Sequence, residues 1–220
     1  MFAINQQTAV SPAIEQRTFP SDRGEAVDRS TEQRMTMNSL KTLILAAALL
    51  PLATSAQERY MTRNGHIAFF SATPMENIEA NNHKVTSVWD VTSSALQFAV
   101  LVKAFEFEKA LMQEHFNENY MESNTFPKAE FKGKMTGVTS DQLKKPGTYE
   151  AEVTGDLTIH GVTKPVTAKG TITVDAAGAI KASSDFMVKP EDHGIKIPGV
   201  VRQNIAQEIT VKVRLDYTKM

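Results

Sequence analysis

The sequence predicts an all-β protein built as a closed, antiparallel barrel of eight strands with one amphipathic helix. The first observation is a pair of long alternating strands at 149–174, joined by a very short turn. The second is a series of six further segments between residues 59 and 217 that show the same alternation of apolar and polar residues. The third is a single stretch, 106–121, whose apolar residues recur at helical spacing. Eight alternating strands on a chain of this length favour closure, because closure leaves no unpaired sheet edge.

The hairpin at 149–174 carries the clearest pattern. Small and apolar residues occupy every second position from Ala151 to Ile159, and polar residues lie between them, which is the period of a half-buried strand. Gly161 tolerates a positive φ and marks the reversal of the chain. Pro165 cannot donate to a sheet ladder, so we expect it at a strand start or on an edge.

The other elements follow the same logic. The remaining strands are expected at 59–72, 78–89, 96–105, 127–137, 179–189 and 205–217. Residues 106–121 contain no Gly or Pro, and Leu111, Met112, His115, Phe116 and Tyr120 form a stripe about one helical face wide. The segment between Lys189 and Asn204 is too long for a hairpin turn and contains two prolines.

The amino-terminal region has the pattern of an export signal. Lys41 precedes a short apolar run, Leu43–Leu52, which ends in the small residues 53–56. Such a run is about half the ~20 residues that a membrane-spanning helix needs, so we interpret 35–56 as a secretory signal peptide. Residues 1–34 are polar and aperiodic, and we expect a disordered or mis-called extension, with translation starting at Met35 or Met37. Residues 57–220 would then form the mature barrel.

Composition and motifs argue against most catalytic classes. The net charge is −1, which gives no basic surface for nucleic acid, and the absence of cysteine excludes thiolate chemistry and disulfides. No phosphate-binding loop, nucleophile elbow or metal-ligand spacing occurs, so we predict no enzyme, no metal and no cofactor. His115 could line a cavity or bind a metal, but a rim or core histidine is the simpler interpretation. His160 lies beside Gly161 and is expected to set the turn geometry.

The interior of an eight-stranded barrel can be filled by side chains or can hold one small ligand. The inward positions are apolar, and small residues such as Ala151, Gly155, Ala168 and Gly170 alternate with large ones on the central hairpin. Small residues on an inner face leave volume for a ligand, unless phenylalanine and methionine side chains fill it. From the residues alone these two alternatives stay open.

Three segments resemble the YceI-like, or polyisoprenoid-binding, family. They are LTIHGVTKPV (157–166), HFNENYMESNTFPKAEFKG (115–133) and, more weakly, NIAQEITVKVRL (204–215). The resemblance covers roughly 58–218 and implies a lipocalin-like barrel, extended by a helix, that holds a polyisoprenoid chain. The first strand, RYMTRNGHIAFFSATP (59–74), departs from the His-Ser pattern of many members, so ligand contacts from that strand cannot be transferred.

The resemblance leads us to expect an exported, periplasmic protein that binds a polyisoprenoid or isoprenoid-quinone-like lipid for carriage or storage. The residues expected to line the ligand site are Phe98, Val100, Phe116, Phe126, Phe131, Leu157, Ile159, Ile172, Val211 and Val213. Lys164, Lys196 and Arg202 are the candidates for contacting a polar head group. The alternatives are an isomerase or lyase, which would need inward polar residues such as Gln207 and His115, and a ligand-free envelope stress or interaction module. The oligomeric state is left open, a homodimer included.

Overall fold

The computed structural model describes residues 57–220, so the predicted extension and signal peptide lie outside the described residues. Within that range the chain is mostly β-sheet with one short α-helix and several single turns of other helix types. The strands are β1 (Arg59–Ala72), β2 (Asn77–Asp90), β3 (Ala95–Leu101), β4 (Glu106–Phe107), β5 (Lys128–Thr136), β6 (Gly147–Ile159), β7 (Val162–Val174), β8 (Ile180–Val188) and β9 (Ile209–Lys219). The α-helix is α1 (Ala110–His115), followed by a π-helical turn at Phe116–Tyr120.

The eight long strands close into an antiparallel barrel. Their order is β1-β9-β8-β7-β6-β5-β3-β2, and β2 pairs with β1 to complete the circuit. The two-residue strand β4 is not part of the wall, because it pairs only with β2 near Ala80. The predicted fold class, an eight-stranded antiparallel barrel with one helix, is confirmed.

The central hairpin forms as its alternation predicts. β6 and β7 pair along their full length, from Gly147 opposite Val174 to Ile159 opposite Val162. His160 and Gly161 form the two-residue turn with φ angles of 51° and 74°. Two consecutive positive φ angles are the signature of a type I′ turn, whose twist matches that of the strands it joins. His160 therefore has the turn role that its position beside Gly161 indicated.

The predicted helix at 106–121 is wrong in its extent. Residues Glu106–Phe107 form β4, and α1 begins only at Ala110 and ends at His115. The reason is aromatic packing: the rings of Phe105, Phe107 and Phe116 surround Phe69 of β1, with ring centroids 5.3–5.7 Å from it. A continuous helix would direct Phe105 and Phe107 to different faces, so tertiary contacts override the local helical propensity.

Two other boundaries differ from the predicted ones. β3 ends at Leu101 rather than at Phe105, because the chain turns there and the Val102 N–H donates to the Pro127 carbonyl. The last strand begins at Ile209 rather than 205, so Gln207 precedes it and is exposed. The pair Asn81-Asn82 does not interrupt β2. The ladder with β1 is nevertheless irregular beside this pair: β1 has one extra residue between Thr62 and Gly65, and β2 has one extra residue between Asn82 and Val85.

One end of the barrel is a packed core. Trp89 is 1% exposed, and its ring lies 5.9 Å from that of Tyr60 and 6.0 Å from that of Tyr217. The Tyr217 and Ser87 hydroxyls are hydrogen-bonded at 2.7 Å, and burial raises the pKa of Tyr217 above its ordinary range. These large buried side chains pack against one another at this end of the barrel, which we call the packed end.

The barrel wall is incompletely paired on one side. β7 and β8 pair only from Val174 opposite Ile180 to Gly170 opposite Ser184. Towards the other end of the barrel, β7 continues along β6 and β8 continues along β9, with no ladder between β7 and β8 in the described chain. The Ser184 hydroxyl donates to the Lys169 carbonyl at 2.7 Å where the two strands separate. We call this feature the β7–β8 split.

Asp90 links three segments at the packed end, and its contacts predict acid sensitivity. It accepts hydrogen bonds from the Ser93 N–H (3.0 Å), from Arg59 Nε (3.1 Å) and from the Gln57 amide. These bonds, that from Ser93 first, lower the pKa of Asp90 to about 2. A carboxylate with a lowered pKa stabilises the fold above its unfolded pKa near 4, and this contribution is lost as the pH falls towards about 2.

We therefore expect Asp90→Asn to be less stable than wild type at pH 7, and the difference to shrink between about pH 5 and pH 2. Urea unfolding of both proteins across this range measures it. A stability difference that stays constant over that range would contradict the assigned role of the carboxylate.

Candidate ligand-binding cavity

The end of the barrel opposite the packed end contains a cavity of about 340 Å³, which we call the mouth cavity. Its walls are the inward residues of the strands that start or end here, among them Ile67, Val100, Leu157 and Val211. The strands alternate, so these residues face inward while their neighbours face solvent. The volume is within the 300–1,000 Å³ that is typical of small-molecule sites, and nearly all of the lining is apolar.

Two segments that are not part of the wall cover the mouth cavity. The first cap segment, 102–127, contains β4 and α1, and the second cap segment, 189–208, joins β8 to β9. Val102 and Met121 of the first segment and Ile195 of the second are buried in one small apolar cluster. The His193 ring donates from Nδ1 to the Val162 carbonyl at 3.0 Å and so attaches the second segment to β7 beside the β7–β8 split.

An aromatic cluster forms the side of the mouth cavity towards β1. Phe105, Phe107 and Phe116 of the first cap segment pack on Phe69, and Phe107 and Phe116 are 5.0 Å apart between ring centroids. Offset and edge-on arrangements of this kind are favourable for aromatic pairs. The cluster anchors the cap to the barrel wall and presents ring surfaces to the cavity.

A second, smaller cavity of about 120 Å³ adjoins the mouth cavity and extends towards the packed end. We call it the deep cavity. The residues that line both cavities are Ile67, Val100, Ala129, Leu157 and Phe186. Small residues of the central hairpin, including Ala151, Ala168 and Gly170, line the deep cavity. Of the two alternatives for the interior, the structure thus shows space that side chains do not fill.

Gly155 has a different role from these small residues. It pairs with Gly133 of β5, and a Cβ atom at either glycine would lie 2.8 Å or less from the ring of Phe131. The two glycines let the backbones approach and let the Phe131 ring lie across them. They therefore orient an aromatic side chain and do not provide ligand volume.

The mouth cavity has one polar corner, formed by Ser71, Glu76 and Asn204. One Glu76 carboxylate oxygen accepts from Asn204 Nδ2 at 3.2 Å, and the other accepts from Lys109 Nζ at 3.3 Å. These bonds, first that from Asn204 and then that from Lys109, lower the pKa of Glu76. Ser71 is buried, and its Oγ accepts from the Ala206 N–H at 2.9 Å. The corner thus connects β1 and the β1–β2 turn to both cap segments.

The structure places nine of the ten predicted lining residues against the two cavities. Phe116, Ile159 and Val211 line the mouth cavity, and Val100 and Leu157 line both. The four residues that line only the deep cavity are Phe98, Phe131, Ile172 and Val213. Their contact with a ligand stays a prediction.

Phe126 is the exception, since it lines neither cavity. Its ring packs edge-on against His160, with centroids 4.5 Å apart, and lies against Gly161 at the hairpin turn. Phe126 was predicted to line the cavity because it precedes a strand in the FPKAEF segment. Its side chain instead packs over the turn between β6 and β7.

Sequence reasoning missed most of the cap lining. Ile195, Ile197 and Val201 of the second cap segment line the mouth cavity, as do Phe105 and Phe107 of the first. The second segment has no periodicity that predicts which residues face inward. Only the apolar residues of IKIPGVV (195–201) indicated that part of this segment could face the cavity.

The residues predicted to contact a head group do not line either cavity. Arg202 is paired with Glu191 at 2.6 Å, and Lys164 and Lys196 are exposed. His115 lies at the exposed rim of the mouth cavity. Across residues 57–220 no group of three or more His, Asp or Glu side chains is arranged to hold a metal ion, and no helix there is long and apolar enough to cross a bilayer.

The fold and the cavity define a lipocalin-like barrel protein: eight antiparallel strands around an apolar interior. The YceI-like domain model matches residues 54–217, and the chain belongs to the YceI-like family. A UPF0312 protein of Pseudomonas syringae pv. tomato is 27% identical over 192 residues, which are 80% of this chain and 96% of that protein. A UPF0312 protein of Pseudomonas putida (strain W619) is 35% identical over 99 residues, so the match spans about half (48%) of its length and 43% of this chain.

Two solved structures share the fold. A polyisoprenoid binding domain from Saccharophagus degradans superposes with a TM-score of 0.64 at 12% identity, covering 74% of this chain and 99% of that domain. BcnA of Burkholderia cenocepacia superposes with a TM-score of 0.58 at 17% identity, covering 70% of this chain and 96% of BcnA. The resemblance predicted from the three sequence segments is confirmed.

Proposed function

We propose that the protein binds one long-chain apolar lipid of the polyisoprenoid type in the mouth and deep cavities, as a carrier or store. The observation that carries the proposal is the continuous apolar lining. Five residues are shared between the two cavities, so a single chain can pass from one to the other. Burial of hydrocarbon there gives about 25 cal/mol per Å² of apolar surface removed from water.

The polyisoprenoid class is supported by the family and by one structural relative. The Saccharophagus degradans domain is described as polyisoprenoid binding. An apolar cavity accepts any hydrocarbon chain that fits its width, because hydrophobic contacts are non-directional. Chain class is therefore set by the width and length of the cavity more than by individual contacts.

We also propose that the protein acts after export, in the periplasm. The support is the sequence pattern of Lys41, Leu43–Leu52 and the small residues 53–56, which lies outside the described residues. Amino-terminal sequencing of the protein from its own host tests this proposal. A mature chain that begins near Gln57 is expected, and recovery of peptides from 1–34 would contradict the predicted processing.

Native mass spectrometry of the protein purified from its own host tests lipid binding. We expect a one-to-one adduct whose organic extract fragments into prenyl units. Ala129→Phe narrows the junction between the cavities, and we expect it to lose at least about 80% of the adduct, because overpacking one aromatic ring there blocks the chain.

The matched control is Ala177→Phe, which adds the same ring in the exposed β7–β8 turn beside the packed end. This variant should keep the adduct. A bare wild-type mass that is unchanged after incubation with prenyl alcohols and isoprenoid quinones would overturn the proposal and favour the ligand-free interaction module.

A further inference from the structure

We propose that the polar corner formed by Ser71, Glu76 and Asn204 is a head-group site that selects an uncharged, hydroxyl-bearing lipid end over a diphosphate. The preferred ligand class is thus a prenyl alcohol. This inference rests on the proposed function, because it concerns the polar end of a lipid whose chain occupies the same cavity.

The position of the corner fits a head group. Ser71, Glu76 and Asn204 lie together in a cavity whose remaining lining is almost wholly apolar. A few convergent polar groups in an apolar pocket are what fix the orientation of an amphipathic ligand. Glu76 is only partly exposed, with a quarter of its side-chain surface accessible, so it lies at the boundary between cavity and solvent.

The charge of the corner disfavours an anionic head. Hydrogen bonds lower the pKa of Glu76, so its carboxylate is ionised at neutral pH. A diphosphate placed beside it would bring two negative groups together in a region of reduced dielectric, and this repulsion opposes binding. A hydroxyl group instead donates a hydrogen bond to the carboxylate, and such charge-assisted bonds are strong.

Glu76 has capacity for that bond. Each of its carboxylate oxygens accepts one described hydrogen bond, from Asn204 and from Lys109 respectively. A carboxylate oxygen has two lone-pair sites, so each oxygen can accept one more donor. The Ser71 Oγ accepts from the Ala206 N–H, and its own proton can be donated to the oxygen of the ligand hydroxyl.

The lining of the mouth cavity does not offer the cations that a diphosphate requires. Neither lysine nor arginine is among the described residues that line the mouth cavity. Three cations of the cap segments are already paired with carboxylates: Lys109 with Glu76, Lys189 with Glu208, and Arg202 with Glu191. Recognition of a diphosphate by these three side chains would have to break their ion pairs, because phosphate sites rely on Arg, Lys and clustered N–H donors. Two further cap cations, Lys103, which donates to Asn124, and the exposed Lys196, do not line the mouth cavity.

The corner could instead serve only to clamp the two cap segments to the β1–β2 turn. The two roles differ in what they predict for a change of charge. If Glu76 is only a clamp, replacing it weakens every ligand alike. If Glu76 also contacts the head group, replacing it changes the ratio of the affinities for two ligands that have the same hydrocarbon chain and different head groups.

Titration calorimetry with farnesol and farnesyl diphosphate, both below their micellar concentrations, tests this directly. We expect the wild-type protein to bind farnesol at least about tenfold more tightly than farnesyl diphosphate. Glu76→Gln keeps the size of the side chain and one accepting oxygen, but it replaces the other oxygen by an NH2 donor and removes the charge. We expect this variant to reduce the preference for farnesol over farnesyl diphosphate by at least about fivefold.

The matched control is Glu79→Gln, which removes one negative charge from β2 outside both cavities and should leave the ratio unchanged. Equal or tighter binding of the diphosphate by wild type would overturn the inference, as would equal weakening of both ligands in Glu76→Gln. Binding of both ligands without selectivity leaves the proposed function intact. Binding of neither farnesol nor farnesyl diphosphate removes the proposed function and the inference together.

Discussion

Replacing Trp89 by alanine is expected to lower the free energy of unfolding by about 3–5 kcal/mol, which is a large part of the stability of a domain of this size. Trp89 is 1% exposed and packs between Tyr60 and Tyr217 at the packed end. Removing the indole opens a void beside two aromatic rings that are fixed in the neighbouring strands β1 and β9, so the surrounding side chains can collapse only partly.

Urea unfolding followed by far-ultraviolet circular dichroism measures this effect, because Trp89 is the only tryptophan and its fluorescence is lost in the variant. Leu111→Ala is the control. Leu111 is 61% exposed on α1, so its truncation should change stability by less than about 0.5 kcal/mol. A loss below about 1 kcal/mol for Trp89→Ala would show that the packed end does not hold the barrel together.

Replacing Phe98 by aspartate is expected to weaken lipid binding by at least about 100-fold. Phe98 lines the deep cavity, and its ring lies 6.1 Å from that of Phe131. When the lipid chain enters the deep cavity, a carboxylate at this position either retains its hydrating water or is buried without a hydrogen-bond partner. Both outcomes are unfavourable, and both remove the apolar contact between Phe98 and the chain. The affinity for a radiolabelled prenyl alcohol measures the effect.

Gln97→Asp is the matched control, since it adds a carboxylate one residue earlier on the exposed outer face of β3. It should leave the affinity within about twofold of wild type. Phe98→Ser serves as the second variant if the aspartate protein does not fold, and it should also bind less. Full retention of lipid by folded Phe98→Asp would mean that the ligand does not reach the deep cavity.

The strands of the barrel wall were predictable because the residues that determine each strand lie within that strand and its adjoining turn. The alternation from Ala151 to Ile159 and the glycine at 161 determine strand, face and turn without reference to the rest of the chain. The wall residues of the cavity followed from the same alternation: Val100, Leu157 and Val211 face inward because their strand neighbours face out.

The cap was not predictable on the same grounds. Phe107 leaves the helical pattern because its ring packs on Phe69, 38 positions earlier in the chain. The polar corner joins Glu76 to Asn204 across 128 positions, and no pattern in either segment indicates that contact. Phe126 covers a turn that belongs to a later hairpin, so its orientation depends on a structure that its own segment does not encode.

The β7–β8 split leaves a length of β7 without a strand partner on the side that faces β8. Beyond the two-residue turn, the odd-numbered residues of β7 direct their N–H groups away from β6 and towards the split. An unpaired edge of this kind is a template on which a second chain can add a strand and start aggregation.

Pro165 is located on this edge, as its inability to donate predicted, and it removes one of the N–H groups that an added strand would use. The exposed side chain of Lys164 and the charge of Lys169 flank it on the same strand. Proline and lysine are residues by which sheet proteins discourage edge-to-edge association. The TKPVTAK sequence (163–169) of the family-like hairpin thus places a proline and two lysines, residues that disfavour strand addition, along the β7–β8 split.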